Sequence, residues 1–203
     1  GKMEIRIADH AGFCFGVNEA LRITNETIAR YEGTDIPIYT CGPLIHNRVV
    51  TGELEKKGVR IITRPKDAQS GSVVIVRSHG EPESFYLEAE ENDLVIVDAT
   101  CPFVKKIHAI VREAAEQGRN VVVAGDADHP EVIGTTGWAG KNCRVIDSVE
   151  MAEKLDFDHI TLVAQTTSTA ELWEAIVKSL EKNKKDLTAL HTICSATTER
   201  QKS

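Results

Sequence analysis

Three of the five cysteines share a local plan. Cys14, Cys101 and Cys194 each close a short apolar run that leads toward an expected helix. The runs are Ile5-Arg6-Ile7-Ala8-Asp9-His10-Ala11-Gly12-Phe13-Cys14, Leu94-Val95-Ile96-Val97-Asp98-Ala99-Thr100-Cys101 and Leu187-Thr188-Ala189-Leu190-His191-Thr192-Ile193-Cys194, and the cysteines stand 87 and 93 residues apart. A strand-to-helix turn offers backbone N–H groups and the positive end of a helix, and both favour thiolate over thiol. Three thiolates can hold an iron–sulfur cluster and leave one iron without a cysteine ligand. Spacing alone favours a plainer reading, three ordinary buried cysteines, because no C-x-x-C pair is present. The recurring plan sets the metal reading beside it. Cys41 and Cys143 lack that plan and read as structural. An odd number of widely spaced cysteines argues against a disulfide framework.

Three of the seven histidines stand out by their neighbours. His46 lies in the turn-rich Gly42-Pro43-Leu44-Ile45-His46-Asn47, and His79 in Arg77-Ser78-His79-Gly80 directly after an apolar run. His129 lies in Asp128-His129-Pro130-Glu131, with Glu131 entering the next helix. Loops that follow strand ends are where α/β proteins usually place ligand-binding groups. Imidazoles there can donate to a diphosphate, and a carboxylic acid can supply protons. The bland alternative, three loop histidines satisfied by backbone carbonyls, is favoured by sequence physics alone. Thr166 and Thr167 follow another apolar run and can contact a ligand, cap the next helix, or both. No Walker loop and no complete G-x-G-x-x-G is present, so nucleotide readings have no support. A three-cysteine zinc site or a Cys/His nucleophile pair stays open.

The elements that must position these groups alternate short β-branched runs with amphipathic stretches, the pattern of an α/β fold. Strands are expected at Ile5–Ile7, Ile36–Tyr39, Val59–Ile62, Val73–Val76, Leu94–Val97, Val121–Ala124, Val145–Ile146 and Ile160–Ala164, as apolar runs covered on both faces. Helices are expected from about Gly16 to Tyr31, from Pro102 to Gln117, and from Thr169 to Lys182. Pro102 suits a first helical position, and Ser168 with Glu171 reads as a capping box. The spacing of the cysteine segments predicts a quasi-repeat that sends polar tips from strand carboxyl ends to a common centre.

Composition bounds the partners. The 203 residues carry 24 Lys and Arg against 31 Asp and Glu, a net charge of −7. That balance argues against non-specific binding to nucleic acid or to an anionic membrane. No apolar run approaches a membrane span, and the amino terminus lacks a signal-peptide pattern, so a cytoplasmic protein is expected.

Seven motifs occur in a recognisable order: Ala11-Gly12-Phe13-Cys14-Phe15-Gly16-Val17, Gly42-Pro43-Leu44-Ile45-His46-Asn47, Ser78-His79-Gly80, Asp98-Ala99-Thr100-Cys101-Pro102, His129-Pro130-Glu131, Gln165-Thr166-Thr167, and Ile193-Cys194-Ser195-Ala196-Thr197-Thr198-Glu199-Arg200-Gln201. In these the chain resembles the 4-hydroxy-3-methylbut-2-enyl diphosphate reductase (LytB) family of isoprenoid biosynthesis. The resemblance implies an α/β fold in which three small units form a trefoil around a central [4Fe-4S] cluster. It implies Cys14, Cys101 and Cys194 as cluster ligands, and His46, His79 and His129 as holders of the substrate diphosphate. By the same resemblance Glu131 is the catalytic acid, and Thr166 and Thr167 face the substrate. The implied reaction is a two-electron reductive dehydroxylation giving isopentenyl and dimethylallyl diphosphates, with ferredoxin or flavodoxin as electron donor. The units are expected at residues 3–98 and 99–191, with 192–203 opening a third that is truncated. The family's third unit also binds the diphosphate, so the 203 residues are expected to be incompetent by themselves. The alternatives are a non-catalytic, truncated module that binds metal or a diphosphate, and a thiol enzyme whose activity survives iron chelation.

Overall fold

Runs of β-branched residues build two parallel sheets of the same design. The computed structural model describes residues 15–183 and 186–194, so the strand expected at Ile5–Ile7 and the cysteine at 14 lie outside the described residues. The chain divides between Pro102 and Phe103 into two units. The first opens with helix α1 (Phe15–Arg30), then β1 (Ile38–Cys41), α2 (Arg48–Lys56), β2 (Val59–Ile62), a 3-10 turn at Pro65–Asp67, β3 (Val73–Val76), α3 (Glu83–Glu91) and β4 (Val95–Asp98). The second continues with α4 (Pro102–Glu116), β5 (Asn120–Ala124), α5 (Pro130–Thr136), β6 (Cys143–Ile146), α6 (Val149–Glu153), β7 (Ile160–Ala164), α7 (Ala170–Asn183) and β8 (Leu187–Ala189). Every pairing is parallel, in the order β2-β1-β3-β4 in one sheet and β6-β5-β7-β8 in the other.

Alternation along the central strands supplies both faces of each core. Val73 and Ile75 pack with Leu21, Val50 and Leu54, while Val74 and Val76 pack with Phe85 and Ala89 on the opposite face. In the second unit Val122 and Leu162 meet Trp173, Ile176 and Leu180, and Val121, Val123 and Val163 meet Ile107, Val111 and Val132. Central strands β1, β3 and β7 are buried throughout, as expected for strands covered on both faces. The outer strands depart from that expectation, with Val95 of β4 47% exposed. Among the described residues an outer strand has one neighbour only, so its second side is left without cover.

The start of α7 corrects the expected cap. Thr169 Oγ1 accepts from the Leu172 N–H at 3.1 Å, while Ser168 Oγ donates to the Ala124 carbonyl at 3.1 Å. The hydroxyl expected to cap the helix instead ties its loop to the end of β5.

At the other edge of the second sheet, Arg119 latches three segments. Its guanidinium donates to the Ile160 carbonyl at 2.6 Å, to Thr161 Oγ1 at 2.9 Å and to Asp186 at 2.8 Å. The Arg119 hydrogen bond, with a second from His159, holds the Asp186 carboxyl down at about 2. We expect Arg119→Ala to cost about 1–2 kcal/mol through the lost carbonyl and hydroxyl bonds. A folded value below the ordinary 3.8 means the Asp186 contribution is present above pH 4 and fades as the pH falls toward 2. The gap between wild type and variant in urea unfolding should therefore narrow with acidification. An unchanged midpoint at neutral pH would contradict the latch.

Candidate functional site

In a parallel sheet all carboxyl ends lie along one edge, and the order of each sheet here reverses beside its first strand. The crevice between β1 and β3, and that between β5 and β7, are topological switch points, the places where α/β sheets bind ligands. The loop after β1 carries His46 and the loop after β3 carries His79, while Cys101 follows β4. In the second unit the loop after β5 carries His129, the loop after β7 carries Thr166 and Thr167, and Cys194 follows β8. Each described residue of the expected site thus falls on the carboxyl edge of its own sheet, with Glu131 in the first turn of α5.

The two cysteines are placed by the same device. Beyond β4 the ladder runs on: the Ala99 N–H donates to the Val76 carbonyl at 3.0 Å and the Cys101 N–H to the Ser78 carbonyl at 2.9 Å. Beyond β8 the Leu190 N–H reaches the Leu162 carbonyl at 2.9 Å and the Cys194 N–H the Thr166 carbonyl at 2.8 Å. Cys101 is therefore pinned beside His79, and Cys194 beside Thr167. Asp98 bends the first turn by accepting from the Thr100 N–H at 3.0 Å and from the Tyr86 hydroxyl at 3.0 Å. Thr192 bends the second, its Oγ1 accepting from the Ala164 N–H at 2.8 Å and donating to the Ala164 carbonyl at 2.7 Å.

Both thiols are buried, and one has a glycine pressed against it. A Cβ on Gly16, two residues after Cys14 in the sequence, would lie 2.5 Å from the Cys101 Sγ. Gly16→Ala should therefore cost about 1–3 kcal/mol by overpacking. Gly52, in mid-α2 with nothing near its Cβ position, is the control. There Ala should gain about 0.5–1 kcal/mol of helix propensity. Thermal unfolding of the two variants should move in opposite directions; equal shifts would contradict the close approach.

The second unit assembles a proton-bearing group. Glu131 is 5% exposed, and its carboxyl accepts from the Thr166 N–H at 2.8 Å and the Thr166 hydroxyl at 2.6 Å. Burial pushes this carboxyl above its ordinary range, against the opposing pull of the two Thr166 bonds. His129 caps α5: its Nδ1 accepts from the Glu131 N–H at 3.1 Å. That bond leaves Nε2 as the N–H of the neutral ring. His79 is set the other way, with Nδ1 donating to the Gly80 carbonyl at 2.7 Å. A further donation from its Nε2 therefore requires the imidazolium. His46 is exposed, next to Asn47, which caps α2.

The two edges share a second likeness. A Cβ on Gly42, after β1, would lie 2.6 Å from the Arg77 guanidinium; one on Gly125, after β5, would lie 2.8 Å from Gln165 Cβ and Oε1. Arg77 pairs with Glu81 at 3.1 Å. Gln165 Oε1 accepts from the Asp126 N–H and its Nε2 donates to Thr167 Oγ1, each at 3.0 Å. Gln165, Asp98 and Thr192 were not singled out as site residues from sequence, because their bonds to Asp126, Tyr86 and Ala164 join segments that become neighbours only on folding. The motifs Gln165-Thr166-Thr167 and Asp98-Ala99-Thr100-Cys101-Pro102 are the signal that could have found the first two of them.

The remaining cysteines are chemically quiet. Burial pushes the Cys41 thiol up to about 12 and the Cys143 thiol up to about 11, so neither offers a thiolate near neutral pH. Among the described residues no three His, Cys, Asp or Glu side chains come together as a metal-binding group. The expected thiol set includes Cys14, outside the described residues, with Cys101 in the first unit and Cys194 in the second. What the structure does offer suits a thiolate-bound group: two buried cysteines, each set on a strand carboxyl edge by the same ladder extension, and a glycine that keeps side-chain bulk away from one of them. No helix among the described residues is long and apolar enough to cross a membrane.

Known proteins match along nearly the whole chain. The profile of the LytB protein family matches residues 5–203. A 4-hydroxy-3-methylbut-2-enyl diphosphate reductase of Clostridioides difficile (strain 630) is 43% identical over 204 residues, covering 99% of this chain and 72% of that protein. The solved structure of the E-1-hydroxy-2-methyl-but-2-enyl-4-diphosphate reductase from Plasmodium falciparum superposes with a TM-score of 0.86 at 31% identity. That match covers 96% of this chain and 62% of the Plasmodium chain. A second solved structure, an (E)-4-hydroxy-3-methyl-but-2-enyl diphosphate reductase described as the terminal enzyme of the non-mevalonate pathway, gives a TM-score of 0.81 at 34% identity. It is matched over 96% of this chain and 69% of its own length.

Proposed function

Since the chain belongs to the LytB protein family, we propose that the protein is an iron–sulfur reductase that converts 4-hydroxy-3-methylbut-2-enyl diphosphate to isopentenyl and dimethylallyl diphosphates. The observation that carries the reading is the buried Glu131 carboxyl, held by Thr166 beside His129 and next to the backbone anchor of Cys194. Cys14, Cys101 and Cys194 are the thiolates that would hold the [4Fe-4S] cluster. Bound there, the cluster would supply electrons singly and an iron open to an alcohol oxygen.

The chain's own residues have separate tasks. His46, His79 and His129 hold the diphosphate, His129 through the Nε2–H of its neutral ring and His79 as an imidazolium. Fixing that end of the molecule sets the reacting carbon chain in one place. Burial disfavours the carboxylate and so raises the hold of Glu131 on its proton, which it delivers to the departing oxygen. Water then leaves in place of hydroxide, a poor leaving group. Thr166 aims the carboxyl through its two bonds, while Thr167 faces the substrate. Two electrons and two protons are consumed overall, one C–O bond is broken and one C–H bond is made. A cytoplasmic ferredoxin or flavodoxin is the natural donor for such single-electron steps.

The test is anaerobic turnover by the full-length protein with a chemical one-electron donor. Both product diphosphates should form, and activity should vanish on iron chelation. Turnover that survives chelation would favour a thiol enzyme instead. The chain spans 72% of the Clostridioides relative, and we expect these 203 residues by themselves to bind a cluster poorly and turn over little substrate. Robust turnover by the 203 residues would refute that.

A further inference from the structure

We propose that Gln165 is a positioning residue that fixes the Thr167 hydroxyl as a hydrogen-bond donor to the substrate's diphosphate. The inference rests on the reductase reading above and deepens its account of the anion site. Gln165 is 7% exposed, in the space that the missing Cβ of Gly125 leaves. Its amide can sit only one way round. The Asp126 backbone N–H is a donor, so the group 3.0 Å from it must be the carbonyl oxygen, Oε1. The NH2 is thereby turned onto Thr167 Oγ1, also at 3.0 Å, and the threonine oxygen accepts. With that acceptor role taken, the exposed Thr167 hydroxyl points its own proton elsewhere. The neighbouring Thr166 is set the opposite way, its proton donated inward to Glu131 at 2.6 Å. Two adjacent hydroxyls therefore have opposite roles, one aiming the acid and one offering a donor at the carboxyl edge. Diphosphate oxygens only accept, so a committed donor suits them.

Gln165→Glu isolates this role. Assayed at a pH high enough to ionise the new buried side chain, the carboxylate keeps the shape and still accepts from Asp126, but it has no proton for Thr167, whose hydroxyl must then turn inward and donate to it. In the full-length reductase we expect KM for the allylic diphosphate to rise about tenfold, with kcat, iron content and thermal midpoint close to wild type. Thr167→Val should raise KM similarly. The double variant should be no worse than Thr167→Val alone, because both changes remove one interaction. If the buried charge prevents folding, Gln165→Met, which keeps the bulk and neither bond, should show the same non-additivity. A wild-type KM for Gln165→Glu beside an impaired Thr167→Val would overturn the inference alone, as would penalties that multiply in the double variant. A wild-type KM for Thr167→Val would overturn the substrate-facing role of Thr167 and the inference with it.

Discussion

Glu131→Gln is expected to lower kcat about 10²–10⁴-fold while leaving the fold intact. The amide is nearly isosteric with the acid and can still accept from the Thr166 N–H, so the loops after β5 and β7 stay joined. It has no proton to give to the departing oxygen. KM should change little, since the proposed diphosphate contacts belong to other residues. Stability provides an independent check. The folded Glu131 value lies above the ordinary 4.5, with burial as the leading cause, so the folded state holds this proton more tightly than the unfolded chain. The stabilisation from that proton is fully present below 4.5 and is lost as the pH rises through the folded value. The amide escapes that loss, so its stability relative to wild type should improve between mildly acid and neutral pH. A variant that is both unstable and inactive would mean that the carboxyl is structural, and one with wild-type kcat would remove Glu131 from the mechanism.

Cys101→Ser and Cys194→Ser are each expected to abolish activity, with loss of the visible absorption band of an iron–sulfur cluster. The thiolate sulfur is the proposed ligand, and serine offers a harder and far less acidic oxygen. Both thiols sit at the ends of extended strand ladders, where replacement by serine disturbs little packing. Cys41→Ser and Cys143→Ser form the contrast set. Burial pushes those two thiols up to about 12 and about 11, so they stay protonated and make poor ligands. Their serine variants should keep the colour and the activity. An inactive but fully coloured Cys194→Ser would show that the residue serves something other than the cluster.

These strands were legible because each is a short run rich in β-branched residues: Val59–Ile62, Val73–Val76 and Ile160–Ala164 stand where expected. The two long helices that the sequence marked by periodicity, now α4 and α7, lie within a residue of their expected bounds. The expected cap failed because Ser168 and Thr169 are adjacent hydroxyls that both suit an N-cap, Ser somewhat better than Thr. Only the fold, which brings the Ala124 carbonyl within 3.1 Å of Ser168, separates them. The histidines, Glu131 and the threonine pair could be named from motifs, but not the bonds that set their roles. Thr166 lies 35 residues from Glu131, and Gln165 lies 39 from Asp126. Tautomers and hydroxyl directions depend on those distant partners. The cysteine spacing did anticipate one structural fact: the two units repeat the same strand order and the same ladder extension into a cysteine.

The most direct measurement is the iron and acid-labile sulfide content of the full-length protein after anaerobic reconstitution. About four irons and four sulfides per chain are predicted, falling together in Cys101→Ser and in Cys194→Ser. A protein that takes up no iron and sulfide, or takes them up equally after either substitution, would contradict the account.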